Sequence, residues 1–436
     1  MSQVNPKPDQ VQATGVSPAE RLGGTRWTIC AMLFAATSIN YMDRQVIGLL
    51  KPTLQSSLGF TEVDYGYIVA AFQVAYAVGL VVAGRLVDRL GVRSGYSLFM
   101  GIWSLASVAH ALARSVLGFG VARFFLGLGE AGNFPAAIKT TAEWFPQTER
   151  SLATGVFNSG ANVGAIVAPA IIPWITLRFG WRAAFVTTGL LGVPWVIWWA
   201  MHYRKPSESG RLTRTASHHI DGDAGADLDQ GSMWLKLLTH RQTWAFSIAK
   251  FLTDPIWWFY LFWLPSFFDS RFHLGLSHLG LPLIIVYNLS MVGSIGGGWL
   301  PAILCGMGVN VAKARMSAMI LCAILVLPVV MAGRLNSEWA AIGLLGLAAA
   351  AHQGWSANLF TTASDMFPGT AVGTVVGIGG MAGAIGGVFF SVIAGKLLAS
   401  TQSYMALFLI SASVYLTSVA IFYILVPGLK KVEVTA

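Results

Sequence analysis

The sequence predicts an all-α integral membrane protein of twelve transmembrane helices, arranged as two pseudo-symmetric bundles of six. Three observations carry this. Apolar stretches of about 20 residues, the span of a bilayer core, recur along the whole chain. One long polar segment, 202–241, leaves six such stretches on either side. A segment ahead of that divide returns behind it in the same order.

Composition agrees. Of 436 residues, 55% are hydrophobic and 11% are charged, and the mean hydropathy is +0.63. A soluble domain carries about 25% charged residues, so very hydrophobic core helices in a soluble protein fit poorly. Lipid offers no hydrogen bonds, so the apolar stretches must be helical. The 48 glycines suit close helix contact in lipid. The net charge of +9 forms no single patch for nucleic acid; it is scattered among loops, as membrane topology requires. Cys30, Cys305 and Cys322 stand apart and form neither a ligand spacing nor a disulfide framework.

The elements follow in order. Residues 1–24 are polar, lack the apolar stretch of a signal peptide, and read as a short disordered tail. Helices α1 to α6 are expected at 26–50, 64–87, 94–112, 116–139, 150–173 and 180–201, within a first bundle of 25–201. The segment 202–241 contains HHIDGDAGADLDQG, without apolar periodicity, and reads as a flexible linker. His218 and His219 there could hold a metal, but adjacent histidines in a solvated linker are ordinarily just that, and no metal is expected. Helices α7 to α12 are expected at 242–269, 278–303, 314–333, 339–364, 371–399 and 403–426, within a second bundle of 242–426, before a tail of 427–436. An even count puts both ends on one side. With the N-terminus inside, about 18 Lys and Arg fall on the cytoplasmic side, about 7 outside and 3 within the helices, which sets the orientation.

The repeat pairs EWFPQTERSLATGVFNSGANVG at 143–164 with DMFPGTAVGTVVGIGGMAGAIG at 365–386. Phe145/Phe367, Pro146/Pro368, Thr148/Thr370, Gly155/Gly377 and Gly164/Gly386 are identical, and Glu143/Asp365 preserves an acid. Two similar halves around a midplane site are what alternating access needs.

Four charges stand inside the apolar runs: Asp43 and Arg44 in α1, Arg123 and Glu130 in α4. Each costs at least a few kcal/mol by insertion scales, and the default reading is a functional polar site. Asp43, Arg44 and Arg123 each lie about seven residues from the outer end of their helix, hence at similar depth at about 1.5 Å per residue. Glu130 lies two turns beyond Arg123, on nearly the same face. If α1 and α4 face one cavity, two cations and two acids converge there. The alternative is a set of permanent salt bridges that only hold α1 to α4.

Between α2 and α3 stands GRLVDRLGVR, 84–93. Gly84 is expected to let two helices approach closely, and Asp88, Arg89 and Arg93 to form a charge cluster that pairs with a neighbouring helix end in one conformation and releases it in another. An ordinary positive loop is the plainer alternative.

This loop, the six-plus-six layout and the central linker resemble the major facilitator superfamily, over roughly 24–430. Finer blocks resemble its anion:cation symporter family, most of all the hexuronate transporters: NYMDRQ (40–45), RFFLGLGEAGNFPAA (123–137), EWFPQTERSLATGVFNSG (143–160), KFLTDPIWWFYLFWLP (250–265), VAKAR (311–315) and AHQGWSANLFTTASDMFP (351–368). The resemblance implies that Arg44 and Arg123 bind the substrate carboxylate or steer coupling, that Asp43 and Glu130 are proton sites, and that Tyr41 and Tyr76 line the cavity. Physics gives a route. An acid in low dielectric holds its proton more readily, and a nearby arginine favours its ionised form. A substrate carboxylate that takes the arginine, whose planar fork suits it, leaves the acid to hold a proton.

The second half is expected to supply a polar and aromatic wall for sugar hydroxyls and ring faces. Its candidates are Trp257, Trp258, Tyr260 and Trp263 of α7, and His352, Gln353, Trp355, Ser356 and Asn358 of α10. Tryptophans also anchor at membrane interfaces, and His352 could be a packing histidine as well as a relay. Lys250 and Asp254, four apart on α7, read as a local pair with a structural or gating role. Asn158, Ser159 and Asn162 add polar groups on α5. Galactonate-type relatives carry a glutamine where this chain has Ala161, and α11 here reads GGMAGAIGG without their asparagine, so galactonate is disfavoured.

The expectation is a proton-coupled symporter of the bacterial inner membrane, importing a hexuronate such as galacturonate or glucuronate, with both termini cytoplasmic. Aldarates, aldonates or another organic anion are the alternative substrates. No phosphate-cradling G-x-x-x-x-G-K-[ST] loop appears, so the proton gradient, not ATP or another cofactor, is the expected energy source. Nothing suggests an enzyme or a nucleic-acid partner; the partners are the solute, protons and lipid, and the chain is expected to act as a monomer. An efflux carrier for cations is opposed by two cavity arginines, and a non-transporting sensor by the short tails.

Overall fold

The computed structural model describes residues 23–145, 147–204 and 230–432, which are helical with no strand among them. α1 runs Gly23–Leu58. α2 and α3 form one helical run, Glu62–Ala109, divided at Gly91, whose φ of 75° suits a residue without Cβ. α4 is Val116–Glu130 and then Asn133–Trp144; α5 is Gln147–Phe179; α6 is Trp181–Leu190 and then Gly192–His202. α7 is Arg241–Phe272, α8 Gly280–Gly306, α10 Glu338–Met366, α11 Gly369–Thr401 and α12 Met405–Leu425. α9 is Val311–Val326, tightened into 3-10 turns over Leu327–Arg334, where Pro328 offers no N–H to continue an α-helix.

Side-chain caps set several of these starts. Thr61 and Asp64 form a reciprocal capping box ahead of α2. Ser115, Asn310 and Ser337 each accept a backbone N–H at the starts of α4, α9 and α10.

Eight segments among the described residues are long and apolar enough to cross a membrane: α2, α3, α5, α6, α8, α9, α11 and α12. The other four are α1, α4, α7 and α10, which hold Asp43 and Arg44, Arg123 and Glu130, Lys250 and Asp254, and Gln353 and Asn358. The polar helices are thus one set, spaced every third along the chain.

The departures from expectation have local causes. α4 was expected to be unbroken, but it turns at Ala131 and Gly132; a Cβ on Gly132 would overlap the Phe99 ring. Gly84 does not mediate close packing, because a Cβ there would meet open space. The expected linker 202–241 is helical at its described ends, where α6 reaches His202 and a short helix, Gln230–Leu238, buries Leu237. Residues 205–229 with His218 and His219, residues 1–22, Pro146 and residues 433–436 lie outside the described residues. The final segment is docked: Val432 N donates to Met366 O at 2.7 Å, and Gln242 Nε2 donates to Lys430 O at 3.3 Å.

The repeat is visible in geometry. Phe145 and Phe367 close α4 and α10 in the same extended backbone conformation. The preserved acids are held alike, Glu143 by the Tyr203 hydroxyl and Asp365 by Arg315 Nε at 3.1 Å.

The two halves meet mainly through α2 with α11, α5 with α8, and α1 with α7. Tyr65 Oη donates to Phe262 O at 2.8 Å, and Ser391 Oγ donates to Gln73 Oε1 at 3.2 Å. Gly66 and Gly395 bring α2 and α11 into backbone contact. Among the described residues, the hydrogen bonds and ring contacts that join the halves lie between the face carrying the α1–α2 turn and the level of Leu80 and Gly380. The molecule is sealed at that face.

Candidate functional site

Arg44 is the centre of the polar layer. Its Nε and Nη2 donate to Glu130 Oε2 at 2.9 and 2.7 Å, and Nη2 also donates to Asn40 Oδ1 at 3.2 Å. The two side chains are 3% and 0% exposed. Glu130 Oε1 is buried without a hydrogen-bond partner, so the pair uses one carboxylate oxygen instead of two parallel bonds. The break of α4 directly after Glu130 frees that helix end to meet α1. Four rings enclose the guanidinium, with centroids 4.7 Å (Tyr41), 4.9 Å (Trp258), 5.0 Å (Tyr76) and 5.2 Å (Phe72) away. Such contacts are worth about 2 kcal/mol when desolvated. Trp258 belongs to the second half, so the cage spans both halves.

Arg123 shares this layer, with the Phe72 ring 5.1 Å and the Phe262 ring 5.4 Å from its guanidinium. It is fully buried, yet its one side-chain hydrogen bond is from Nη2 to the Arg44 carbonyl at 3.2 Å. Nε and Nη1 have no partner. A buried charged donor left unsatisfied costs several kcal/mol, and a carboxylate is the group that satisfies such a fork.

Asp43 does not join the arginines. Adjacent residues on a helix point about 100° apart. Arg44 faces the interface between halves, and Asp43 faces the interior of the first half. There its Oδ1 accepts from Ser107 Oγ at 2.7 Å, and Ser107 lies 3.4 Å from Thr188 Oγ1. Its Oδ2 is buried and unpartnered. Of the four charges, Arg44, Glu130 and Arg123 share one layer, and Asp43 lies one helix face away, bonded to Ser107 and to neither arginine.

The second-half wall divides in two. Trp258 reaches the layer, while Trp257 stacks on His352 at 5.5 Å and 5°. Gln353 and Ser356 are half-buried on α10, as is Asn162 on α5. Tyr260, Trp355 and Asn358 are 1%, 0% and 0% exposed, as deeply buried as Arg123 and Glu130. Trp355 Nε1 donates to Thr253 Oγ1 at 3.2 Å. Asn358 Nδ2 donates to Gly297 O and Gly354 O, at 2.7 and 2.8 Å, tying α8 to α10 where glycines bring them together. His352 shares a 2.6 Å hydrogen bond with Tyr415 Oη and is likewise buried.

At the α2–α3 turn, Arg93 Nη2 donates to the Ala200 carbonyl near the end of α6, and Arg89 is exposed. The side chain of Asp88 lies outside the described residues. Phe72 in the cage, Ser107 beside Asp43, and Lys51, paired with Glu62 at 2.7 Å near the sealed face, were not foreseen as functional positions, whereas Trp258 was. Phe72 had a usable signal, because it lies one turn from Tyr76 on the same face of α2.

Comparison with known proteins agrees with this geometry. The family model described as "Major Facilitator Superfamily" matches residues 33–391. The chain is 31% identical over 425 residues to the hexuronate transporter of Escherichia coli (strain K12), covering 95% of this chain and 97% of that one. It is 32% identical over 286 residues to the galacturonate transporter of Dickeya chrysanthemi, covering 64% and 83%. A crystal structure of a D-xylose–proton symporter superposes with a TM-score of 0.74 at 14% identity, covering 94% of this chain and 100% of that one. With twelve helices in two related halves, a polar layer between them and matches of this extent, the chain is a multi-pass membrane protein that belongs to the major facilitator superfamily, a family of transporters and not of enzymes.

Proposed function

We propose that this protein imports a sugar acid, a hexuronate such as galacturonate or glucuronate, by proton-coupled symport and alternating access. Sugar-acid transport is supported by the similarity to hexuronate and galacturonate transporters. The observation that carries the reading is Arg123, a fully buried guanidinium with two unsatisfied nitrogens beside Arg44. A solute carboxylate between the two arginines would satisfy both forks, and Tyr41, Tyr76 and Trp258 would supply ring faces and hydroxyls for the sugar.

Coupling then follows from charge balance. With no solute, Glu130 neutralises Arg44. A bound carboxylate takes over Arg44, and Glu130, buried without its cation, holds a proton. Asp43 accepts from Ser107 and makes no hydrogen bond to either arginine. It is the second proton site, reached from the first half and not from the solute. The protons taken up offset the charge of the bound anion, so the loaded carrier enters its occluded state without an added negative charge. On release the acids ionise and Glu130 returns to Arg44.

The placement in the cell belongs to the same proposal. The protein lies in the bacterial inner membrane as a monomer, its two six-helix units joined by a cytoplasmic linker, with both termini cytoplasmic. The sealed face is then external, the conformation is inward-facing, and the Arg93 contact with α6 belongs to that state.

The test is uptake of labelled galacturonate and glucuronate into proteoliposomes, with and without an inward proton gradient. Accumulation that needs the gradient and is competed away by unlabelled hexuronate is expected. Gradient-independent equilibration would remove the coupling. Absence of uptake by folded protein would remove hexuronates and leave aldarates, aldonates and other organic anions.

A further inference from the structure

Lys250 and Asp254 lie one turn apart on α7, with Nζ 2.7 Å from Oδ2. On an ordinary helix surface this would be a local brace. Its surroundings are not ordinary. The lysine side chain is 6% exposed and sits over the Phe360 ring, with Nζ 4.1 Å from the centroid, while the carboxylate keeps 19% exposure. Asp254 is within electrostatic reach of Tyr41 and Tyr76, which belong to the opposite half and enclose Arg44. The partner helix is also cut away to receive the pair. Gly383 abuts the Asp254 carboxylate, and a Cβ on Gly379 would overlap the Phe246 ring and stand 3.3 Å from Lys250 Cγ. The run GGMAGAIGG of α11 thus houses two charged side chains.

Depth places the pair relative to the arginines. Trp258, whose ring covers Arg44, is one turn beyond Asp254 on α7. Asp254 therefore lies about 6 Å, and Lys250 about 12 Å, below the level of Trp258 along the axis, away from the sealed face. A six-carbon sugar acid held by its carboxylate at Arg44 and Arg123 extends its far end towards them.

The geometry points to Lys250 and Asp254 as a second subsite, which takes the hydroxyl end of a monocarboxylate sugar acid and rejects a dicarboxylate. Lys250 donates to one hydroxyl oxygen, and Asp254 accepts from its neighbour. A second carboxylate at the same place meets the charge of Asp254, whose ammonium partner is already engaged; that repulsion discriminates against an aldarate. The subsite rests on the sugar-acid reading and adds to it the basis of choice between hexuronate and aldarate.

The test is competition against labelled galacturonate uptake in proteoliposomes by unlabelled galacturonate and galactarate. In the unaltered protein galacturonate is expected to compete at least tenfold better. Asp254→Asn should weaken galacturonate and admit galactarate, so that the preference falls at least tenfold. Asp254→Glu, which keeps the charge, should keep most of it. An unchanged preference in Asp254→Asn overturns the subsite and returns the pair to a structural role. If a variant loses uptake, thermal-shift titration of the purified protein with each sugar acid reads the same ratio. If the unaltered protein binds and imports neither compound, the sugar-acid reading fails and the subsite falls with it.

Discussion

Arg123 is the residue whose environment is least finished. Two of its nitrogens are buried without partners, so replacing it removes an unsatisfied charge as well as a binding group. Arg123→Gln is therefore expected to leave the protein at least as heat-stable and to weaken galacturonate binding by about 10- to 100-fold, the value of one or two charged hydrogen bonds. Thermal stability and calorimetric titration of the purified protein check the two halves of that statement. Arg44→Ala should behave differently, because it strands Glu130. Breaking a buried pair costs about 3–5 kcal/mol, and a lower melting temperature should accompany the loss of uptake. The sequence already showed which charges stand inside the membrane helices, since charges inside apolar runs are conspicuous. It did not reveal where they point. Asp43 and Arg44 are neighbours in the chain and occupy different faces of α1, and the Ser107 that receives Asp43 is an unremarkable serine on another helix.

The helices themselves were easier to foresee than their interruptions. Hydrocarbon length and polar punctuation locate all twelve, because bilayer thickness imposes the same ruler on each. The break in α4 depends on what stands opposite Gly132, the Phe99 ring of α3, and a one-dimensional pattern carries no record of that. Gly132→Ala should destabilise the protein by about 1–3 kcal/mol through overpacking and displace Glu130 from Arg44; lower thermal stability together with lost uptake is the expected result. Gly84, in a motif that suggests close packing, faces open space instead. Asn358 is an amide in an apolar helix because it binds the carbonyls of α8 and α10, a structural use that composition cannot separate from solute binding.

Across the whole molecule, the repeat at 143–164 and 365–386 foretold two related halves, and the paired closures at Phe145 and Phe367 display them. The contacts between the halves were beyond reach, since no local pattern encodes which face is sealed. Tyr65 contributes one of the few hydrogen bonds across that seal. Tyr65→Phe removes about 1 kcal/mol from the sealed state, a shift of roughly fivefold in population. Hydrogen–deuterium exchange of the α2 and α11 backbone around Gly66 and Gly395 should be faster in that background. The linkage of this movement to protons is tested by Glu130→Gln and Asp43→Asn in proteoliposomes, comparing gradient-driven accumulation of galacturonate with exchange at equal concentrations. Glu130→Gln is expected to abolish accumulation while exchange continues, because a permanently neutral side chain mimics the protonated carrier. Undiminished accumulation in both variants would contradict the assignment of these two acids as the proton sites.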